Sequence, residues 1–442
     1  MVWPRWSWAP GLAALALSVL ASQAWGQQPQ PGAQQPQGSS QAPTLERGPQ
    51  PAAPLPPELG APPGIPVAAY PVELLGLLGP QRGGVTFTPS IIVSEEYNDN
   101  IFLDNANRDW DFLTRIGPAL TLVINKANYQ LTLGYATLAE LYARHENLSS
   151  ALGSHTFLGS IFWRATDNLT LSLTDTFVWD RNSGVVAGFA TGRQQSWTNT
   201  VTPALGWRMT ASDTLNLSGS YSVLRFENSG SGLDSDSYGF RASYGHAFSP
   251  RFTAGLIYAF TYVDPQVGDS TTTHTPQVGF SYRVTPTLTL AAEGGPGFTN
   301  VTGEEKVTPV GAARVTQAFT WGTAGLEYTR GVSVAGGFGG ATDTWTVSGS
   351  IFLTTLARGL TVVFGPSYSE AESLDSHAAQ QIDVNSINVR LAAAYQFSQY
   401  VTLFASYTYF RQRTGHSASQ QLDVDQNVAR VGFQFGYPFR FD

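Results

Sequence analysis

The chain has no cysteine. Disulfides, thiol nucleophiles, cysteine-based metal sites and a lipoprotein-type N-terminus are therefore excluded, and an exported chain of this kind must hold itself together by other means. It also lacks any apolar run of the roughly 20 residues needed to cross a bilayer as a helix. Charge is scarce: 13% of residues are charged, and of 24 basic residues only Lys126 and Lys306 are lysines. Arginine over lysine, with abundant Ala, Gly and Pro, fits a GC-rich genome better than selection for arginine. The formal charge of −8 argues against nucleic-acid binding.

Against these absences stand 45 glycines, 25 Phe, 18 Tyr and 11 Trp. That composition favours one large β-structure over several soluble domains. Mean hydropathy is near neutral, as it is in transmembrane barrels, where polar inward residues cancel apolar outward ones. The first residues read as a secretory signal: Arg5, an apolar stretch from Gly11 to Ala21, then small residues up to cleavage after Ala24 or Gly26. Residues 1–26 are accordingly a signal peptide. Residues 27–84, rich in Pro, Gln and Ala, are expected to be a disordered periplasmic linker. Within it Val72–Leu78 suits one or two helical turns, as the end of the linker or as a short plug.

From Val85 onward the pattern has period two. Val401, Leu403, Ala405, Tyr407 and Tyr409 alternate with Thr402, Ser406 and Thr408, and Leu169 to Thr174 alternates strictly. Connection lengths separate a membrane barrel from a soluble sandwich. Tight turns fall at 125–128, 165–168, 210–213, 249–251, 285–287, 320–323, 357–359 and 398–400, and between successive ones lie two strands joined by a longer polar loop. This is the asymmetry of outer-membrane barrels, with short periplasmic turns and longer extracellular loops. The expected fold is all-β: a transmembrane antiparallel up-and-down barrel of about 18 strands over residues 85–442, in a bacterial outer membrane. Both barrel ends fall on the periplasmic side.

Trp163, Trp179, Trp207, Trp321, Tyr282, Tyr395, Phe397, Tyr437 and Phe439 lie near predicted strand ends, where aromatic girdles belong. The last segment sets Val431, Phe433, Phe435, Tyr437, Phe439 and Phe441 on one face. Such a strand resembles the C-terminal signal by which the barrel-assembly machinery recognises its clients, although Asp442 follows the terminal aromatic. Outer-membrane lipids and lipopolysaccharide are the other expected partners.

Thr88 to Leu103, with Tyr97-Asn-Asp-Asn100, and Arg108 to Leu120, with Gly117-Pro118, resemble the opening hairpin of the β-barrel porin 2 family. Only this hairpin is distinctive; the rest of the likeness is architectural. The resemblance implies an outer-membrane channel-like barrel without catalytic residues, and links to surface-polysaccharide synthesis and export.

A barrel of this size normally encloses an aqueous channel. Parity places Arg115, Arg164, Arg208, Arg241, Arg283, Arg314, Arg390 and Arg430 inward, against Glu140, Glu293 and Glu327. The positive excess predicts a mild anion preference; the plainer account is that lipid excludes arginine and interior groups satisfy it. Asp175 and Arg411 break the pattern, and a β-bulge or a misplaced boundary is expected at Asp175. The outer loops, of about 9 to 15 residues, look too short for a folded-in constriction. They are acidic, at Glu95, Glu96, Asp99, Asp104, Asp109 and Asp111, then Glu304 and Glu305, then Glu370, Glu372 and Asp375. Ordinary solvated charge explains this; Asn98, Asp99 and Asn100 are the best calcium candidates and serve equally as turn-formers. His145, His155, His274, His377 and His416 fall in or beside loops and His246 near a periplasmic end, with no spacing that makes a catalytic constellation. No cofactor is expected. The sequence thus points to a non-enzymatic, porin-like channel for small hydrophilic or anionic solutes. An accessory barrel of a surface-polysaccharide export system, and a non-conducting scaffold or adhesin, are the alternatives.

Overall fold

The computed structural model describes residues 84–186, 189–227, 234–301, 303–334, 341–354, 356–374, 381–415, 418 and 423–441. The expected signal peptide, the linker except for Gly84, which opens β1, and the helical turns at 72–78 lie outside the described residues, as do Asp375, His377, His416 and Asp442. Strands β1 to β6 run Gly84–Asn98, Asp111–Asn125, Tyr129–Tyr142, Ser150–Thr166, Leu169–Val186 and Phe189–Arg208. Strands β7 to β12 run Asp213–Phe226, Ser235–Ser249, Phe252–Pro265, Thr271–Arg283, Leu288–Val301 and Glu304–Phe319. Strands β13 to β18 run Gly322–Val334, Ala341–Leu353, Leu360–Ser373, Asp383–Gln396, Val401–Thr414 and Val424–Gly436. A short β19, Phe439–Phe441, resumes β18 after Tyr437 and Pro438.

Each strand pairs antiparallel with its sequence neighbours, and β1 closes the sheet by pairing with β18 and β19. The result is an up-and-down barrel of 18 staves. All eight turns expected at one end are present, from 126–128 between β2 and β3 to 397–400 between β16 and β17. Closure matters because an open edge would leave backbone N–H and C=O groups unpaired in hydrocarbon, at several kcal/mol each.

The polarity of the wall is inverted relative to a soluble barrel. On β10 the inward residues Thr271, Thr273, Thr275, Gln277 and Ser281 are all buried, whereas outward Val278 is 64% exposed. Leu256 on β9 and Val431 on β18 are exposed to 64% and 60%. Apolar side chains turned outward and hydroxyls turned inward are stable only against lipid. Aromatic rings edge the apolar band at both levels. Trp163, Trp207, Tyr282, Trp321 and Tyr395 lie low, while contacting rings such as Tyr97, Trp110 and Phe112, or Tyr328, Trp345 and Tyr368, lie high. His155 and His274 belong to this upper belt, within β4 and β10, rather than to loops. Each accepts or donates at Nδ1 to a tyrosine hydroxyl, Tyr135 at 2.8 Å and Tyr258 at 2.7 Å.

Proline is unusual inside paired strands, because it cannot donate to the ladder. Here Pro118, Pro203, Pro276, Pro296 and Pro366 all occupy outward positions, and four interruptions of the pairing fall on them: between β2 and β3, β6 and β7, β10 and β11, and β14 and β15.

Asp175 corrects an expectation. No bulge resets the register there: the β4–β5 pairing runs unbroken from Ser154 to Arg164, with Asp175 opposite Gly159. The carboxylate therefore does lie on the outward face, between Leu173 and Phe177. Gly159 leaves room beside it, Asn199 donates an amide hydrogen to it, and it is buried against the wall. Arg411 is also outward, but near the extracellular end, 3.8 Å from Asp425, which Arg413 holds at 2.6 Å. That height is where charge on the outer face costs least.

Candidate functional site in the barrel lumen

The inward face is built by the period of two: every second residue of each strand points to the interior. Hydroxyls dominate it, for example Thr170, Ser172 and Thr174 on β5 and Thr342, Thr344 and Thr346 on β14. Ser90, Thr271, Ser281, Thr308 and Asn388 each aim a buried oxygen inward that finds no protein partner among the described residues. A buried polar atom without a partner costs about 1–3 kcal/mol unless water or solute satisfies it, so such a wall suits a wet interior.

The register places all the arginines and glutamates expected inward on that face. Their pairing was not visible in sequence. Arg115 bridges Glu96 at 2.7 Å and Glu140 at 2.8 Å. Arg241 reaches across β9 and β10, over Ala259 and Gly279, to Glu293 at 2.8 Å. Arg314 meets Glu327 at 2.5 Å on the neighbouring strand. Glu96 is the residue that sequence reading assigned to an acidic loop. It lies in β1 on the inward parity of Ser90, Ile92 and Ser94, a signal the alternation did contain. Opposite it in the ladder is Arg430, whose Nε donates to Ser94 at 2.8 Å and whose guanidinium lies 5.6 Å from the Phe404 ring centre. The upper wall from β18 to β3 thus carries alternating charges, with the acids committed to arginine.

A second feature overturns the expectation of a mouth without constriction. Strands β5 and β6 have 18 and 20 residues, longer than their neighbours, and their hairpin crosses the interior. Phe189, at the start of β6, packs with Ala371, Ile382 and Val384 on the far wall. Ala190 packs with Phe410, Val424 and Leu103. Gln412 on β17 fixes the tip: its Nε2 donates to the Ala190 carbonyl at 3.0 Å, and its Oε1 accepts the Ala190 N–H at 2.8 Å. Ala371, Val384, Phe410, Gln412 and Val424 all have inward parity, and β15 is diametrically opposite β6. The hairpin is therefore a strap across the extracellular mouth. Arg193 anchors its β6 limb, donating to the Tyr142 hydroxyl at 2.8 Å with its guanidinium 5.0 Å from that ring. In sequence the apolar/polar alternation of both limbs lapses between Asp180 and Ser196, and that stretch read as an ordinary loop between two ordinary strands.

The calcium candidates serve the β1–β2 loop. Asn98 Oδ1 accepts the Asn100 N–H at 3.0 Å and a Gln426 amide hydrogen at 3.1 Å. Asp99 accepts from the backbone and side chain of Asn427, 2.7 Å each, and pairs with Arg108. Asn100, fully buried, donates to the Asp425 carbonyl at 2.9 Å. The oxygens of Asn98 and Asp99 and the amide nitrogen of Asn100 thus hold the loop to β18, and no group of three or more metal-ligating side chains occurs among the described residues. In the same loop Asn107 and the Ala106 N–H hold the Asp104 carboxyl below its usual range. Desolvation alone would raise Asp109, but Arg144 and the Trp110 N–H keep it lowered. His145 sits between two carboxylates, Nδ1 to Asp111 at 2.8 Å and Nε2 to Asp109 at 3.1 Å. Both ring nitrogens are thereby engaged, so the imidazole clamps the loop rather than serving as a base.

No family model matches the chain, and no curated protein does. Among solved structures, OccAB4 of Acinetobacter baumannii is similar at 14% identity over 81% of this chain and 99% of that chain, with a TM-score of 0.44. OpdQ of Pseudomonas aeruginosa is similar at 12% identity over 80% and 98%, TM-score 0.43. The siderophore receptor PirA of Pseudomonas aeruginosa is similar at 8% identity over 81% of each chain, TM-score 0.41. Likenesses this distant carry no functional meaning.

Proposed function

We propose that the chain is a porin-like outer-membrane channel for small hydrophilic solutes. The observation that carries this reading is the inverted wall: a closed 18-stave barrel, apolar outside, whose inward oxygens include several without a protein partner among the described residues. Arginines on the inward face outnumber the glutamates that pair with them, which favours anions. The first hairpin supports kinship with the β-barrel porin 2 family, and the outward aromatic face of β18 and β19, from Val431 to Phe441, suits recognition by the barrel-assembly machinery. Export through residues 1–26 and a periplasmic linker over 27–84 complete the proposal. Purified protein in planar bilayers tests it: stepwise conductance is expected, with a reversal potential on the anion-selective side in a salt gradient. Insertion without conductance overturns the channel; cation selectivity overturns the anion preference alone.

A further inference from the structure

The fixed charge of the barrel is graded along its axis. At the periplasmic end Arg208 and Arg283 are the last residues of β6 and β10 and Arg164 lies two residues from the end of β4, all inward beside outward Trp207, Tyr282 and Trp163. None of the three makes an ion pair among the described residues; Arg208 donates only to the Asp167 carbonyl, at 2.8 Å. The lowest inward carboxylates, Glu293 and Glu327, stand higher and are taken by Arg241 and Arg314. Exposed Lys126, Arg251 and Arg358 in the adjoining turns add to the same end and outnumber its acids, Asp167 and the His246-paired Asp213. The extracellular end is the reverse. Glu146, Asp269, Glu304, Glu305 and Glu372 lie in or beside its loops, exposed and outside any ion pair among the described residues.

From this we infer that the pore is a rectifier with an anion-capturing periplasmic mouth, so that its favoured solutes are anions entering from the periplasm. The inference rests on the channel reading. Its physics is that of two regions of opposite fixed charge in series. Anions are the concentrated carriers at the arginine mouth, and cations at the acidic mouth. A field that drives anions outward and cations inward fills the pore from both ends; the opposite field empties it. Conductance is therefore higher with the periplasmic side negative. Because the charges act through solvent, the effect persists only where screening is weak: the Debye length is about 10 Å at ~0.1 M salt and about 3 Å at ~1 M.

The absence of native cysteine supplies the orientation control. A Lys126→Cys variant carries a single thiol in a periplasmic turn, and a membrane-impermeant thiol reagent added to one chamber reports which way each pore faces. In ~0.1 M potassium chloride the current with the periplasmic side negative is expected to exceed the reverse current by roughly twofold or more, and the ratio to fall to unity in ~1 M salt. The combined Arg164→Gln, Arg208→Gln and Arg283→Gln variant is expected to conduct with the ratio close to unity at both salt concentrations. Equal currents at both polarities in the oriented Lys126→Cys pore, or rectification of the opposite sign there, overturn the inference and leave the channel standing. Absence of any current overturns both. The salt series needs no arginine variant, so a folding defect in the triple variant does not shelter the proposal.

Discussion

Gln412 shows how one side chain can set the state of a pore. It is fully buried and satisfies both polar groups of the Ala190 peptide. Gln412→Ala removes both bonds and leaves the Ala190 N–H and C=O without partners, a cost of about 1–3 kcal/mol concentrated at the strap tip. The barrel itself loses little. Single-channel recording is expected to show larger or more fluctuating conductance than the parent, with unchanged heat-modifiable mobility on gels; an identical trace means the strap does not depend on this contact. Arg115 is the counterpart for stability. Arg115→Ala strands Glu96 and Glu140 on a low-dielectric wall, and lumen water softens the penalty of a stranded buried charge to about 1–3 kcal/mol. Urea unfolding in detergent should register that loss, and a double variant with Glu140→Gln should recover part of it. That Arg115 points inward was readable from alternation. That it spans two carboxylates was not, because strand register, and hence which side chains become neighbours across strands, is a property of the assembled sheet.

At the level of strands, close approach explains residues that alternation leaves unexplained. A Cβ placed on Gly295 in β11 would come within 2.0 Å of the Pro276 carbonyl oxygen and 3.0 Å of Gln277 Cα on β10, where the ladder is already interrupted by Pro276 and Pro296. Gly295→Ala should therefore shift or break the β10–β11 pairing, measured as loss of the folded, heat-modifiable form. Gly365→Ala, where the nearest atom to a new Cβ is the Gly349 oxygen at 3.8 Å, serves as the tolerated control. The β5–β6 hairpin is the second lesson at this scale. Its limbs lose the alternation between Asp180 and Ser196, so that stretch looked like an ordinary loop between ordinary strands. Only the far-wall partners Ala371, Val384 and Gln412 reveal that the excess length turns inward, because a strand's local pattern records which faces differ and not which surface each face meets.

For the molecule as a whole, closure is the decisive contact. Strand β19 covers Val85 to Phe87 of β1, and the Tyr437 N–H reaches the Pro89 carbonyl at 3.1 Å, carrying the seam past Pro438. Deleting residues 437–442 uncovers that stretch of β1 as an open edge in lipid, where each unpaired backbone group costs several kcal/mol. The truncated chain is expected to yield little folded barrel in detergent refolding, and what folds should be cut by protease near the seam; undiminished yield would show that β18 alone seals it. Strand number, the end that carries the turns, and the outward or inward sense of nearly every strand residue followed from the sequence by itself, because membrane and lumen impose a period of two and tight turns impose their own residues. Which charges neutralise one another, where Asp175 rests, that a strap crosses the mouth, and the axial grading of charge left after pairing were decided only by the tertiary structure. They depend on distances between residues up to hundreds of positions apart, and closing the sheet is what sets those distances.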